Sequence, residues 1–181
     1  MDPTLQLRVM TFNIRYSGAK DGINIWDNRK ELVSQLVKKY SPDLIGFQEC
    51  KIDQLEFLKE HLHGYQYQAV GRDDGKLEGE MCPIFYRNMQ AADTGTFWLS
   101  ETPDVPSRSW SFINRICTWI RFETPRPFLM LNTHFALLSK ARLKSIPLIQ
   151  QRIHSALSYC GLKEIPVILL GDFNFNPQSK E

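Results

Sequence analysis

The sequence predicts an α/β fold in which two packed mixed sheets are flanked by helices. Two observations predict it. Segments with the apolar spacing of helices alternate with short apolar strands near the start of the chain and again near its end. Between them, five strand-like runs follow one another across turn-rich loops, as antiparallel strands do. This combination is typical of two sheets packed face to face with helices outside.

The first third of the chain is predicted to contain two strands and two helices. Residues 5–14 are expected to form a mostly buried strand, because apolar side chains recur along them. A helix with one apolar stripe follows, with Asp27 or Asn28 as its N-cap. Residues 41–49 form a turn and a buried strand, and a short helix then begins at Asp53.

The rest of the chain is predicted to contain five strands, one long helix and a last strand. The five strands cover residues 65–71, 82–87, 94–100, 115–122 and 127–135. A helix follows over residues 139–159, and we expect Pro147 to kink or split it. The last strand begins at Pro166 and leads into the sequence Gly-Asp-Phe-Asn at residues 171–174.

Composition is typical of a globular protein and excludes several classes of function. The 181 residues are 43% hydrophobic and 23% charged, and no linker divides them, so we expect one domain over residues 1–181. A net charge of +2 is too small to indicate nucleic-acid binding by itself. The first residues lack the basic region followed by an apolar region that is typical of a secretory signal, and no run approaches the roughly 18 apolar residues of a membrane span. We therefore expect an intracellular, cytoplasmic protein.

The cysteines do not predict a metal site. Four cysteines lie far apart, without a C-x-x-C pair or the Cys/His spacing of zinc sites. Buried free thiols are the expected state of Cys50, Cys82, Cys117 and Cys160.

Polar side chains stand at the ends of four predicted strands. They are Asn13, Glu49, Asn132 with His134, and Asp172 with Asn174. Burying an unpaired carboxylate costs several kcal/mol, so Glu49 and Asp172 should face water, a partner or a cation. Oxygen ligands of this kind suit Mg²⁺, and Mg²⁺ suits phosphate chemistry. Taken singly, each residue also fits a strand-end turn or an ordinary core histidine.

In this order, these motifs resemble the endonuclease/exonuclease/phosphatase superfamily, the DNase I-like Mg²⁺-dependent phosphoesterases. The matching stretches are VMTFNIR, PDLIGFQE, LNTHF and VILLGDFNFNP, which begin at residues 9, 42, 131 and 167. The resemblance implies a DNase I-like four-layer α/β sandwich. It also implies hydrolysis of a phosphodiester or phosphomonoester by metal-assisted direct attack of water.

The resemblance implies a role for each matching residue on the metal side of the site. Glu49 would be the principal Mg²⁺ ligand, with Asn13 completing or supporting the metal site and Mn²⁺ as a substitute ion. Asp172 would orient or deprotonate the attacking water.

On the phosphate side, Asn174 would bond a phosphate oxygen and His134 would bond the scissile phosphate. Glu80 would support His134, and Arg115 would add positive charge. The implied substrate is a phosphate ester, such as a nucleic acid, a nucleotide, an inositol phosphate or a phospholipid headgroup.

The sequence departs from the superfamily after residue 174. Members continue with two more strands, the last of which carries an adjacent Asp-His pair, whereas no histidine follows Asn174 here. We therefore expect the domain to be C-terminally incomplete, with sheet edges that a partner chain covers. Loss of a general acid–base group typically costs about 10²- to 10⁴-fold in rate, so we expect weak or absent activity.

Three hypotheses for function stay open. The first is an impaired Mg²⁺-dependent phosphoesterase. The second is a catalytically defective or non-catalytic binding domain that retains the front half of the fold. The third is an unrelated α/β sandwich with turn-rich strand ends, whose stability would not depend on metal.

Overall fold

The computed structural model of the chain describes residues 6–123, 126–159, 161 and 165–176. Its helices are α1 (Trp26–Tyr40), α2 (Ile52–His61) and α3 (Ser139–Tyr159), and a 3-10 helix covers Gly22–Asn24. Its strands are β1 (Val9–Asn13), β2 (Leu44–Gln48), β3 (Gln66–Gln68), β4 (Ile84–Tyr86), β5 (Ala91–Trp98), β6 (Ile116–Phe122), β7 (Phe128–His134) and β8 (Val167–Asp172).

Within the described residues, the strands form two four-stranded sheets. Their orders are β1-β2-β4-β3 and β5-β6-β7-β8. Each sheet is mixed, because β1 runs parallel to β2 and β8 runs parallel to β7, while the other neighbours are antiparallel. The two sheets therefore each direct the carboxyl ends of a parallel pair toward one edge.

Apolar side chains pack in three layers between the four layers of secondary structure. Helices α1 and α2 cover the first sheet through side chains such as Val33, Val37 and Leu58. Side chains of β2, β4, β6 and β7 meet between the two sheets, and α3 packs on the outer face of the second sheet through Ile149. The result is the predicted four-layer α/β sandwich of helices, sheet, sheet and helix.

A buried polar link joins the two sheets. The side-chain amide of Gln48 donates to Asn132 Oδ1 at 2.7 Å, and the Asn132 amide donates to the carbonyl oxygens of Phe47 and Pro83 at 2.7 and 2.8 Å. Gly46 leaves room for this link, since a Cβ there would lie 2.7 Å from Asn132 Oδ1. Asn132 therefore lies inside the sandwich and joins its sheets.

Several predicted boundaries and caps differ from the structure. The first strand begins only at Val9, and α2 begins at Ile52. The N-cap of α1 is Ile25, so the predicted Asp27 or Asn28 cap is wrong; both residues lie in the first turn, where the Asn28 amide donates to Ile23 O at 2.9 Å.

Helix α3 runs unbroken through Pro147, so the expected split is absent from the described chain. The thiols of Cys50, Cys82 and Cys117 are free and buried, as expected, and Cys160 lies outside the described residues. None of the helices described is both long enough and apolar enough to cross a membrane.

Candidate active site

The carboxyl ends of β1, β2, β7 and β8 bring together side chains from both sheets. Asn13 closes β1, Glu49 follows β2, and His134 and Asp172 close β7 and β8, where they are paired across the parallel ladder. The Asn13 amide donates to Glu49 Oε1 at 3.0 Å and to Asp172 Oδ2 at 2.9 Å. One amide nitrogen therefore holds two carboxylates that come from different sheets.

Glu49 is fixed both by its backbone and by its carboxylate. Its φ is +59°, a left-handed conformation that non-glycine residues adopt at a cost and that is common at functional sites. Its Oε2 accepts from the backbone N–H of Tyr16 at 3.2 Å and lies 3.8 Å from Arg15 Nη1. Arg15 and Asn174 also have positive φ, so three of the five such non-glycine residues described lie at this site.

His134 is buried, and its contact with Asn174 determines which ring nitrogen carries the proton. The Asn174 amide donates to Phe135 O at 2.9 Å and lies 2.9 Å from His134 Nε2, so this ring nitrogen accepts and the proton sits on Nδ1. Nδ1 is buried and has no hydrogen-bond partner among the described residues. The ring therefore has one donor directed at no acceptor of the described chain.

The ionisation states of His134 and Asp172 differ because their surroundings differ. Burial, followed by the positive charge of Arg115, lowers the pKa of His134 to about 4. Burial works to raise the pKa of Asp172, but hydrogen bonds from Asn13 and from the backbone N–H of Asn174 outweigh it and lower that pKa. At neutral pH the imidazole is neutral and the carboxylate is charged.

A second group of charged side chains lies next to His134. Glu80 lines the same small cavity as His134 and Arg115, but its carboxylate accepts from Arg72 Nη1 at 2.7 Å and is not a hydrogen-bond partner of His134 in the part of the chain described. Its predicted support of His134 stays a prediction. Burial raises the pKa of the Cys82 thiol in this cavity to about 12, so the thiol stays protonated at neutral pH.

The oxygen donors fit a hard cation. Glu49, Asp172 and Asn13 supply two carboxylates and one amide, and Mg²⁺ is usually held by one or two carboxylates together with waters and substrate oxygens. No cluster of three or more His, Cys, Asp or Glu side chains arranged to hold a metal ion occurs in the described residues. Asn13 turns its nitrogen to the carboxylates, and its Oδ1 accepts from the backbone N–H of Arg15 at 2.9 Å. In this geometry Asn13 supports the two carboxylates.

Comparison with known proteins places the chain in a family. The profile of the Endonuclease/Exonuclease/phosphatase family matches residues 10–181. The chain belongs to this family. Its fold matches a solved family structure, the mannosyl-6-phosphatase of Bacteroides thetaiotaomicron VPI-5482, with a TM-score of 0.88 and 39% identity over 97% of this chain and 68% of that one. The predicted family and the DNase I-like fold are thereby confirmed.

Two curated relatives are longer than this chain. An uncharacterized protein of Acanthamoeba polyphaga mimivirus, L388, is 30% identical over 162 residues, which is 82% of this chain and 59% of the viral protein. The probable RNA exonuclease NGL3 of Saccharomyces cerevisiae is 23% identical over 168 residues, which is 84% of this chain and 33% of the yeast protein. The chain thus spans about three fifths of the length of the viral protein and one third of the length of the yeast protein.

Sequence reasoning missed two contributors to the site. Arg72 pairs with Glu80 beside His134, and the backbone N–H of Tyr16 bonds Glu49. Arg72 lies in the turn-rich stretch GRDDG, where an arginine looks like an ordinary solvated residue. A backbone donor leaves no trace in residue identity, so no sequence signal could have identified Tyr16.

Proposed function

We propose that the chain is a Mg²⁺-dependent phosphoesterase that hydrolyses a phosphate ester by direct attack of water. One observation carries the proposal: carboxylates and unpartnered N–H donors lie together at the same strand ends. Glu49 and Asp172 offer oxygens to a cation, whereas His134 and Arg115 have buried N–H groups without partners among the described residues, which an anion could accept. A phosphoryl group under metal-assisted attack needs both kinds of partner.

Mg²⁺ is the cofactor we propose, with Mn²⁺ as a substitute. Glu49 would hold the ion, with Asn13 supporting it, because their donor chemistry suits a hard cation. When bound, the ion supplies positive charge that neutralises the developing charge on phosphoryl oxygens.

The remaining roles follow from ionisation and hydrogen bonding. Asp172 is charged at neutral pH, because its pKa is lowered, and can accept a proton or a hydrogen bond from the attacking water. His134 is neutral and keeps a proton on Nδ1, which can donate to a phosphate oxygen. The two N–H groups of the Asn174 amide are engaged by Phe135 O and His134 Nε2, so Asn174 positions the imidazole.

The substrate we propose is a phosphate ester. A phosphorylated sugar is suggested by the likeness to a mannosyl-6-phosphatase, and an RNA by the likeness to a probable RNA exonuclease. Nucleotides, inositol phosphates and phospholipid headgroups belong to the same chemical class.

We further propose that the 181-residue chain alone is a slow enzyme. Strands β1 and β8 are each paired on one side only within the described sheets, and both open edges border the site. His134 is the one histidine among the site residues described. A partner chain that paired with these edges would raise the rate by completing the surroundings of the water and the phosphate.

The test is hydrolysis of 4-nitrophenyl phosphate, bis(4-nitrophenyl) phosphate and a single-stranded oligoribonucleotide with and without MgCl₂. We expect turnover that requires Mg²⁺ and that falls about 10²- to 10⁴-fold in Asp172→Ala, because the water loses its base or orienting group. The exposed Asp27→Ala is the matched control. If no substrate is turned over faster by the native chain than by Asp172→Ala, the non-catalytic binding domain becomes the better description.

A further inference from the structure

A second cavity lies on the outer face of the second sheet, between strands β5 to β7 and helix α3. We call it the α3 cavity and define it by the side chains of Phe97, Asp104, Trp119, Arg121, Leu131 and Arg152. Its volume is about 320 Å³, which is within the range of small-molecule sites. Leu129, which also lines it, lies about 16 Å from His134 along β7, since strands rise about 3.3 Å per residue. The α3 cavity is therefore separate from the candidate active site.

The α3 cavity has an apolar floor and a polar entrance. Phe97 and Leu131 form part of the floor and are 4% and 1% exposed. Asp93 and Ser155 also line the cavity and are exposed, so a molecule can enter from solvent. An apolar interior with a few polar groups is the usual composition of a site that binds a small molecule.

Trp119 provides an aromatic surface in the middle of the α3 cavity. It is half-buried and stands opposite Gly95 in the ladder between β5 and β6. A Cβ on Gly95 would lie 2.7 Å from Trp119 Nε1, so the indole rests against the backbone of β5 and is fixed there. Because the indole also lines the cavity, it offers a surface on which a second aromatic ring can pack.

Arg121 supplies an unused donor at one end of the α3 cavity. Its Nε is buried and has no hydrogen-bond partner among the described residues, and its Nη1 lies 3.5 Å from Glu123 Oε1, at the long limit of a hydrogen bond. Asp93 stands opposite Arg121 in the ladder, but the two form no ion pair in the part of the chain described. Since a buried donor without an acceptor is unfavourable, this end suits an anionic group of a ligand.

The other end of the α3 cavity already has its charges paired. Nη1 and Nη2 of Arg152 each lie 2.8 Å from an oxygen of Asp104, and the guanidinium is 5.7 Å from the centre of the Phe97 ring. Phe97 and Asp93 lie on opposite sides of Gly95 along β5, so this pair is at the far end from Arg121. A ligand therefore meets one unused cationic donor, beyond the indole.

We propose that the α3 cavity binds a small planar aromatic molecule that carries one anionic group. The ring packs on Trp119 over the apolar floor, and the anionic group accepts hydrogen bonds from the guanidinium of Arg121. This second ligand site goes beyond the proposed hydrolysis and does not depend on it.

The experiment is isothermal titration calorimetry of the 181-residue chain in EDTA with three probes of similar size. They are 2-naphthoate, the uncharged 2-naphthamide, and decahydro-2-naphthoate, which keeps the charge on a saturated ring. We expect 2-naphthoate to bind, and 2-naphthamide to bind about 10- to 100-fold more weakly, because it lacks the charged hydrogen bonds. The saturated acid should bind about 2- to 10-fold more weakly than 2-naphthoate, because it has no aromatic face.

Variants assign the binding to the two residues. Arg121→Met should weaken the binding of 2-naphthoate about 10- to 100-fold while leaving that of 2-naphthamide unchanged, which a general loss of structure would not do. Arg121→Lys should recover part of the binding, and Trp119→Leu should remove the preference for the aromatic ring. The control is Arg108→Met, an exposed arginine that does not line the cavity, and it should bind 2-naphthoate like the native chain.

Several results would overturn the inference. They are no binding of 2-naphthoate, equal binding of 2-naphthoate and 2-naphthamide by the native chain, or unchanged 2-naphthoate binding in Arg121→Met. Loss of binding in Arg115→Met would also overturn it, because the anion would then occupy the candidate active site. None of these titrations includes Mg²⁺ or a phosphate ester, so their failure leaves the proposed phosphoesterase function untouched.

Discussion

Glu49 has a combination of features that packing alone does not require. Its backbone is left-handed at the end of a buried strand, and its carboxylate is held by Asn13 and by the backbone of Tyr16. Left-handed φ values cost about 1–3 kcal/mol at non-glycine residues and persist where surrounding contacts maintain them. The conformation thus holds the carboxylate against the Asn13 amide and the backbone N–H of Tyr16.

Removing this carboxylate should remove stabilisation by metal. A site that binds Mg²⁺ only in the folded chain should raise the free energy of unfolding by about 2.7 kcal/mol at a hundred times the dissociation constant. We expect Glu49→Ala to abolish that gain in urea unfolding experiments, while the exposed Glu60→Ala retains it. A gain of the same size in Glu49→Ala would show that the metal binds elsewhere.

His134 should make the stability of the metal-free chain depend on pH. Its pKa is about 4 in the folded chain and 6.5 in the unfolded chain, so the unfolded state binds the proton first as pH falls. The stabilisation is complete above pH 6.5 and is lost as the pH falls toward 4. At about 1.4 kcal/mol per pKa unit, the loss is about 3 kcal/mol.

We expect His134→Gln to reduce the pH dependence of the free energy of unfolding between pH 6.5 and 4, because a glutamine at this position does not take up a proton. The measurement is chemical denaturation in EDTA at several pH values. His63→Gln, at an exposed position, is the control and should keep the slope of the native chain. An unchanged slope in His134→Gln would assign the acid sensitivity to other groups.

At the scale of elements, the two sheets are held in register by the buried contact between β2 and β7. Gln48 and Asn132 bond directly across the interface, and the Asn132 amide also donates to the carbonyl oxygens of Phe47 in β2 and of Pro83, just before β4. Because Glu49 follows Gln48 and His134 lies two residues after Asn132, this contact also sets the spacing between the two halves of the site. A shift of one sheet would separate the carboxylate from the imidazole.

Gly46 is the position where this contact can be tested. A Cβ there would meet the buried Asn132 side chain at 2.7 Å, so Gly46→Ala should force a shift and destabilise the chain by about 1–3 kcal/mol. The control is Gly18→Ala, where the nearest side-chain atom would be 3.7 Å away. Equal urea midpoints for the two variants would mean that the interface has room that the structure does not show.

At the scale of the whole molecule, an apolar groove lies beside β8, the last strand of the second sheet in the described chain. The groove is lined by Phe135, Leu143, Ile146, Leu169, Phe173 and Phe175 with Arg142. Exposed strand edges and apolar patches promote association. We expect this 181-residue chain to self-associate as its concentration rises, as measured by sedimentation velocity.

The substitution Leu169→Lys should weaken that association, because it places a charge in the groove on the edge strand. Leu32→Lys, which adds the same charge to an exposed position of α1, should not. A native chain that sediments as a monomer at every concentration would contradict the expected association.

The sequence was sufficient to predict the layers of this molecule and the strand ends that meet at the site. Strands β2 and β7 are buried along their whole length, so their apolar runs were unambiguous, and the polar residues that end them stood out. The predicted N-cap of α1 was wrong because Ile25, which makes no side-chain capping hydrogen bond, occupies that position. The lack of described hydrogen-bond partners for Arg115 Nε and Nη1 could not be predicted, because it depends on which acceptors the fold brings near them.

The position of the site across two sheets has a kinetic consequence. Glu49 comes from the first sheet and His134 from the second, so neither sheet alone carries all the side chains of the site. A bound molecule that contacts both sheets therefore gains little in a folding transition state in which the sheets have not yet docked. Such a ligand would slow unfolding while leaving the folding rate almost unchanged.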